Sequence, residues 1–130
     1  MITRAPLSDE AARYAIEHHE FPLDVLNSSR AVAVVSTQSW CPDWKRVDRW
    51  LRRLADTHKP DDFDLEVYTV IYDREPYFND YRAVKERVWK NGFVPYIRYY
   101  VDGEFVTDSN QLSADRFLDT FRSHLKETAR

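Results

Sequence analysis

The chain has 130 residues, of which 43% are hydrophobic, 32% are charged and 15% are aromatic. This length and composition predict one globular domain, residues 1–130, with a sizeable core. Nineteen basic residues against 22 acidic residues leave a net charge of −3, which argues against nucleic acid or an anionic membrane as the main partner. No apolar run approaches the ~20 residues of a membrane-spanning helix.

One cysteine cannot form a disulfide within the chain, so we expect a reducing, cytoplasmic location. The first 20 residues contain no apolar core typical of a signal peptide. The histidines lack metal-ligand spacing, and no metal site is predicted.

The first half of the chain predicts helix, strand and helix. Ser8 is a typical N-cap for a helix over residues 8–19, ahead of the core that starts near residue 30. The continuous apolar run at 31–36 predicts a strand covered on both faces. An apolar stripe at helical spacing predicts a helix over 43–58, which the segment 59–62 ends.

The second half predicts a strand at 65–72, a helix at 79–89 with a left-handed stop at Asn91-Gly92, and a strand at 95–101. Asp102-Gly103 is typical of a tight hairpin turn, after which Phe105-Val106 pairs back. Ser113 predicts the N-cap of a final amphipathic helix. Strands separated by helices pair in parallel, and the hairpin adds an antiparallel edge. We therefore predict an α/β fold in three layers, α/β/α, with a central mixed sheet of about four strands.

The segment Trp40-Cys41-Pro42-Asp43-Trp44 lies at a predicted strand-to-helix junction. A cysteine there faces unpaired backbone N–H groups and the positive end of the helix dipole, and both favour a thiolate. Pro42 suits the first helical position, because its missing N–H would be unpaired anyway.

This segment, together with Val94-Pro95-Tyr96 before the predicted hairpin, resembles the thioredoxin-like family over roughly residues 30–126. The resemblance implies a thioredoxin fold and a cis peptide bond between Val94 and Pro95 that faces Cys41. It further implies that the backbone of Val94 binds an extended protein or peptide substrate.

Two departures from the family change the expected chemistry. Trp44 stands where a dithiol enzyme has its second cysteine, so a mixed disulfide on Cys41 needs an external thiol for its resolution. Val35, six residues before Cys41, replaces a buried acid that is common in thioredoxins. We therefore predict a monothiol thiol–disulfide oxidoreductase with Cys41 as the nucleophile. Its co-substrate is glutathione or a similar small thiol, with no other cofactor.

An alternative remains open, in which the protein is a redox-inactive binding module that uses the same groove. Clustered at the surface, the aromatic residues near Cys41 form a partner site; turned inward, they are only core. The sequence leaves the oligomeric state open. The predicted substrate-binding residues are Trp40, Pro42, Trp44, Val94, Pro95 and Tyr96.

Overall fold

The computed structural model describes residues 1–57 and 62–128, with side chains described through residue 126. Its elements are β1 (Ile2–Pro6), α1 (Asp9–His18), α2 (Leu23–Leu26), β2 (Ala31–Thr37), α3 (Pro42–Thr57), β3 (Leu65–Ile71), α4 (Phe78–Ala83), β4 (Tyr96–Val101), β5 (Glu104–Ser109) and α5 (Ala114–Thr128). A 3-10 turn, Tyr72–Arg74, precedes α4, and a π turn, Val84–Val88, continues it.

The strands form one mixed sheet in the order β1-β3-β2-β4-β5. β1 and β2 run parallel to β3 on its two sides, whereas β4 is antiparallel to β2 and β5 is antiparallel to β4. Side chains of α3 and α5 pack on one face of the sheet, and those of α1, α2 and α4 pack on the other. The predicted α/β class with three layers and a mixed sheet is confirmed, with five strands rather than about four.

The additional strand is β1, for which the sequence analysis predicted nothing. Its residues pair in register with β3, from Ile2 beside Leu65 to Pro6 beside Thr69. Leu7 extends this contact by donating its N–H to the Thr69 carbonyl at 2.8 Å. The strand is therefore fixed by pairing with a segment more than sixty residues away, which no local pattern records.

Helix starts follow the predicted caps. Ser8 Oγ accepts from the Ala11 N–H at 3.1 Å, and Ser113 Oγ accepts from the Arg116 N–H at 3.4 Å. The segment predicted to end α3 is 59–62. Of these residues, 59–61 lie outside the described part of the chain. No helix in the described part of the chain is long and apolar enough to cross a membrane.

The hairpin turn lies where Asp102-Gly103 predicted it, and both residues have positive φ, 53° and 80°. The predicted left-handed stop after α4 was placed wrongly. Lys90 has the positive φ, 58°, and not Asn91 or Gly92. The π turn widens the end of this helix, so Trp89 donates its N–H to Val84 and Asn91 donates to Lys85.

Candidate functional site

Cys41 lies between the end of β2 and the first residue of α3, Pro42. Its N–H donates to the Gln38 carbonyl at 3.3 Å, and its carbonyl accepts from the Lys45 N–H at 3.4 Å. The second bond opens the helical ladder, so Cys41 occupies the position at which backbone N–H groups favour negative charge.

The Cys41 thiol is enclosed. Only 4% of the residue is exposed, and Sγ donates a weak hydrogen bond to the Val94 carbonyl at 3.6 Å. Val35, six residues before Cys41, is fully buried in the same core cluster. Cys41 therefore packs with apolar side chains of this cluster.

The loop before Cys41 is fixed to the turn that follows β3. The Asp73 carboxylate accepts from the Ser39 N–H at 2.8 Å and from Ser39 Oγ at 2.6 Å. Gln38 Nε2 donates to the Tyr72 hydroxyl at 3.1 Å, and Gln38 Oε1 accepts from the Trp40 indole N–H at 2.6 Å. Sequence reasoning missed these positioning residues; the available signal was that parallel strands β2 and β3 end side by side.

The segment containing Val94 and Pro95 forms the opposite wall of the site, and the peptide bond between them is cis. Asn110 Nδ2 donates to the Pro95 carbonyl at 3.0 Å, and the side-chain amides of Asn91 and Asn110 bond each other at 2.8 and 3.0 Å. Lys85, on the π turn, donates from Nζ to the Asn91 carbonyl at 2.9 Å. Burial lowers the pKa of this lysine to about 8.

A cavity of about 450 Å³, here called the cysteine groove, opens between these two walls. Trp40 and Phe93 flank it with exposed fractions of 63% and 73%, so the groove has an aromatic rim. Arg82 and Glu86, which form an ion pair at 2.7 Å, add one charge of each sign to its lining. The remaining lining residues are Gln38, Cys41, Pro42, Asp43, Tyr72, Phe78, Gly92 and Val94.

The structure brings part of the predicted set together. Trp40, Pro42 and Val94 line the cysteine groove with Cys41, whereas Trp44, Pro95 and Tyr96 do not. These three are buried, and the Tyr96 hydroxyl donates to Asp108 Oδ2 at 2.8 Å.

Trp44, three residues after Cys41, turns inward. It is only 7% exposed and packs in the core cluster that holds Val47 and Leu51 on the same helix. The spacing of these three residues, three and seven positions, is that of one helical face. The apolar stripe that predicted α3 therefore extends to Trp44, and this was the signal for its inward position.

Comparison with solved structures assigns the thioredoxin fold. Trxlp from Edwardsiella tarda is 24% identical, with a TM-score of 0.59 over 91% of this chain and 97% of that one. Thioredoxin O1 from Arabidopsis thaliana is 13% identical, with a TM-score of 0.61 over 94% and 96% of the two chains. A mutant thioredoxin from Halobacterium salinarum is 16% identical, with a TM-score of 0.56 over 92% and 86%.

No protein-family model matches the sequence, and neither does any curated protein sequence. At identities below 25% the structural likeness establishes the fold but not the chemistry, which depends on the residues of the site.

Proposed function

We propose that the protein is a monothiol thiol–disulfide oxidoreductase that acts on a protein or peptide in the cysteine groove. The observation that carries the proposal is the position of Cys41 Sγ. It lines the groove ahead of the first turn of α3 and contacts the carbonyl of Val94. A sulfur, a helix N-terminus and a neighbouring backbone segment are thereby combined in one cavity.

In the proposed reaction, Cys41 as thiolate attacks the glutathione sulfur of a disulfide between glutathione and a substrate thiol. The S–S bond breaks, a bond from Cys41 to the attacked sulfur forms, and the other sulfur leaves as a thiolate and takes a proton from water. A second glutathione thiolate then attacks the mixed disulfide. The two glutathione groups leave as glutathione disulfide, and Cys41 is released as a thiolate. No oxidant beyond the entering disulfide is therefore required.

The site residues have separate roles in this scheme. Trp40 and Phe93 offer aromatic surface to a bound chain, and Val94 offers its backbone beside the sulfur. Trp44 supplies no second thiol, so resolution depends on the external thiol. Such a cycle requires a reducing compartment rich in glutathione, and we propose the cytoplasm.

The test is to incubate the reduced native protein with oxidised glutathione and to record the intact mass with time. We expect one glutathione on Cys41, none on Cys41→Ser, and release of the adduct by added reduced glutathione. A coupled assay of glutathionylated peptide reduction then measures turnover. Adduct formation only after unfolding in urea would contradict the proposal.

The near-complete burial of the thiol favours a second candidate, a binding module that grips its partner without redox chemistry. It predicts that Cys41→Ser keeps full partner binding whereas Phe93→Ala weakens it. Cys41→Ser therefore distinguishes the two candidates, because the oxidoreductase loses all turnover when the sulfur is removed.

A further inference from the structure

A second cavity, of about 630 Å³, lies on the other side of Trp44 and is here called the second groove. Its volume falls in the range of small-molecule sites, roughly 300–1,000 Å³. Its lining includes six apolar or aromatic residues, which come from both faces of the sheet: Pro6, Leu7, Trp44, Val70, Ile71 and Tyr77. Cys41 and the other residues that line the cysteine groove are not part of this lining, whereas Ser39, in the loop before Cys41, belongs to it.

The position of the second groove in the sheet is one at which α/β proteins hold ligands. It lies where the parallel strands β1 and β3 end, next to the first turns of α3. The chain leaves β2 towards α3 on one face and leaves β3 towards α4 on the opposite face. This change of face lies between the neighbouring strands β2 and β3, and the second groove reaches it through Ser39, after β2, and Arg74, after β3. Crevices at the carboxyl ends of strands at such a point are the general ligand positions in open α/β sheets.

The charged residues in the second groove carry an excess of positive charge. Arg4, Lys45 and Arg74 line it against Asp48 and Glu75. Asp48 is already engaged on both oxygens, by Arg4 at 2.8 Å and by Arg52, from outside the groove, at 3.2 Å. Lys45 and Arg74 are exposed, and neither has an ion pair or hydrogen bond from its side chain within the described residues.

We propose that the second groove binds a small organic monoanion, a carboxylate with an apolar or aromatic body. The carboxylate lies between Lys45 and Arg74, and the body packs on Trp44, Leu7 and Tyr77. Glu75 offsets one of the two cations, so the site takes a single negative charge rather than a polyanion. This site is independent of the redox proposal, because Cys41 belongs to the other groove.

The test compares two probes of one shape, 4-phenylbutyrate and its neutral amide, by isothermal titration calorimetry on the full-length reduced protein. We expect saturable binding of the carboxylate, about tenfold tighter than the amide, which is the usual contribution of one charge-assisted hydrogen bond. The double variant Lys45→Gln/Arg74→Gln should lose this preference. The double variant Arg49→Gln/Arg53→Gln removes the same net charge from exposed positions outside the groove and should retain it.

A parallel NMR titration locates the probe. We expect amide shifts at Leu7 and Thr69 and an indole shift at Trp44, with little change at Phe93 in the cysteine groove. The proposal is overturned if the carboxylate does not saturate, if the amide binds equally well, or if the shifts centre on Phe93. A preference that survives in Lys45→Gln/Arg74→Gln, while that variant stays folded by circular dichroism, overturns it as well.

Discussion

Lys85 ties a buried ammonium group to the segment that carries Val94 and Pro95, and this predicts how stability depends on pH. The side chain is fully buried; Nζ donates to the Asn91 carbonyl at 2.9 Å and lies 5.5 Å from the centre of the Tyr96 ring. Burial lowers the pKa of Lys85 from its usual 10.5 to about 8. Nearby Glu86 opposes that shift and Arg82 adds to it.

The direction of this pH dependence follows from which state, folded or unfolded, holds the proton on Lys85. Between about pH 8 and pH 10.5 the unfolded chain keeps the proton on Lys85, whereas the folded protein has released it. The free energy of unfolding therefore rises with pH across this window, as the cost of burying the charge disappears. Two-state linkage with these pKa values gives a gain of about 2 kcal/mol between about pH 7 and pH 9.5.

Buried tyrosines limit the window from above. Burial raises the pKa of Tyr77 to about 12 and that of Tyr81 further, so the folded state retains phenol protons that the unfolded chain loses near pH 10. Their contribution to stability falls as the pH rises through and beyond that value. The gain from Lys85 should consequently show as a maximum in stability between about pH 9 and pH 10.

The assay is urea unfolding followed by tryptophan fluorescence at pH values from about 7 to about 9.5, with Cys41→Ser as the background so that no thiol titrates. The comparison variant is Lys85→Met, an unbranched side chain of similar length without a charge. We expect stability to rise with pH in the background protein, whereas Lys85→Met, which keeps the buried tyrosines but lacks the lysine, should show no rise; the denaturant slopes should be equal. An equal pH dependence in both proteins would refute the assignment to Lys85.

Four substitutions test core packing, a buried hydrogen bond and the hairpin turn by the same urea assay. Trp44→Ala should lower the free energy of unfolding by about 3–5 kcal/mol, because it empties a large volume in the core; a loss below about 1 kcal/mol would contradict its buried role. Tyr81→Phe should cost about 1–3 kcal/mol, because the buried Ser36 hydroxyl loses its partner at 2.7 Å; unchanged stability would show that this bond contributes nothing. Gly103→Ala should cost about 1–2 kcal/mol because φ is +80° there, whereas Gly92→Ala, which meets open space, should change stability by less than about 0.5 kcal/mol; similar losses in the two would refute the turn argument.

Local signals predicted those elements whose own residues determine them. β2 reads as a continuous apolar run because helices cover both of its faces, and α5 reads as a helix because Phe117 and Phe121 repeat at helical spacing. β1 has no such signal: it is a short edge strand that ends at Pro6 and depends on β3 for its hydrogen bonds. The end of α4 was misplaced for a related reason, since the buried Lys85 lies in a π turn that propensity does not anticipate.

The residues of the site also divide into those that local sequence predicts and those that depend on distant contacts. The local motif predicted Cys41 and Pro42 at the groove, because their roles depend on a helix N-terminus that the sequence marks. Asp73, which holds Ser39 in the preceding loop, became visible only once the ends of β2 and β3 lay side by side. The parallel pairing of β2 and β3 was predictable, but the specific contact between Ser39 and Asp73, 34 residues apart, has no spacing that a single sequence can show.

Trp44 belongs to the second groove and not to the cysteine groove, and no residue lines both, so the two grooves can be tested separately. Its ring is part of the core and also forms a wall of the second groove, while Cys41, one helical turn earlier, opens into the cysteine groove. Replacing Trp44 by cysteine would supply a second thiol, but it would also remove a core side chain and a wall of the second groove. Cys41→Ser acts on the first groove alone, and Lys45→Gln/Arg74→Gln acts on the second alone. Loss of thiol exchange only in Cys41→Ser, and of carboxylate binding only in Lys45→Gln/Arg74→Gln, would therefore show that the two grooves act separately.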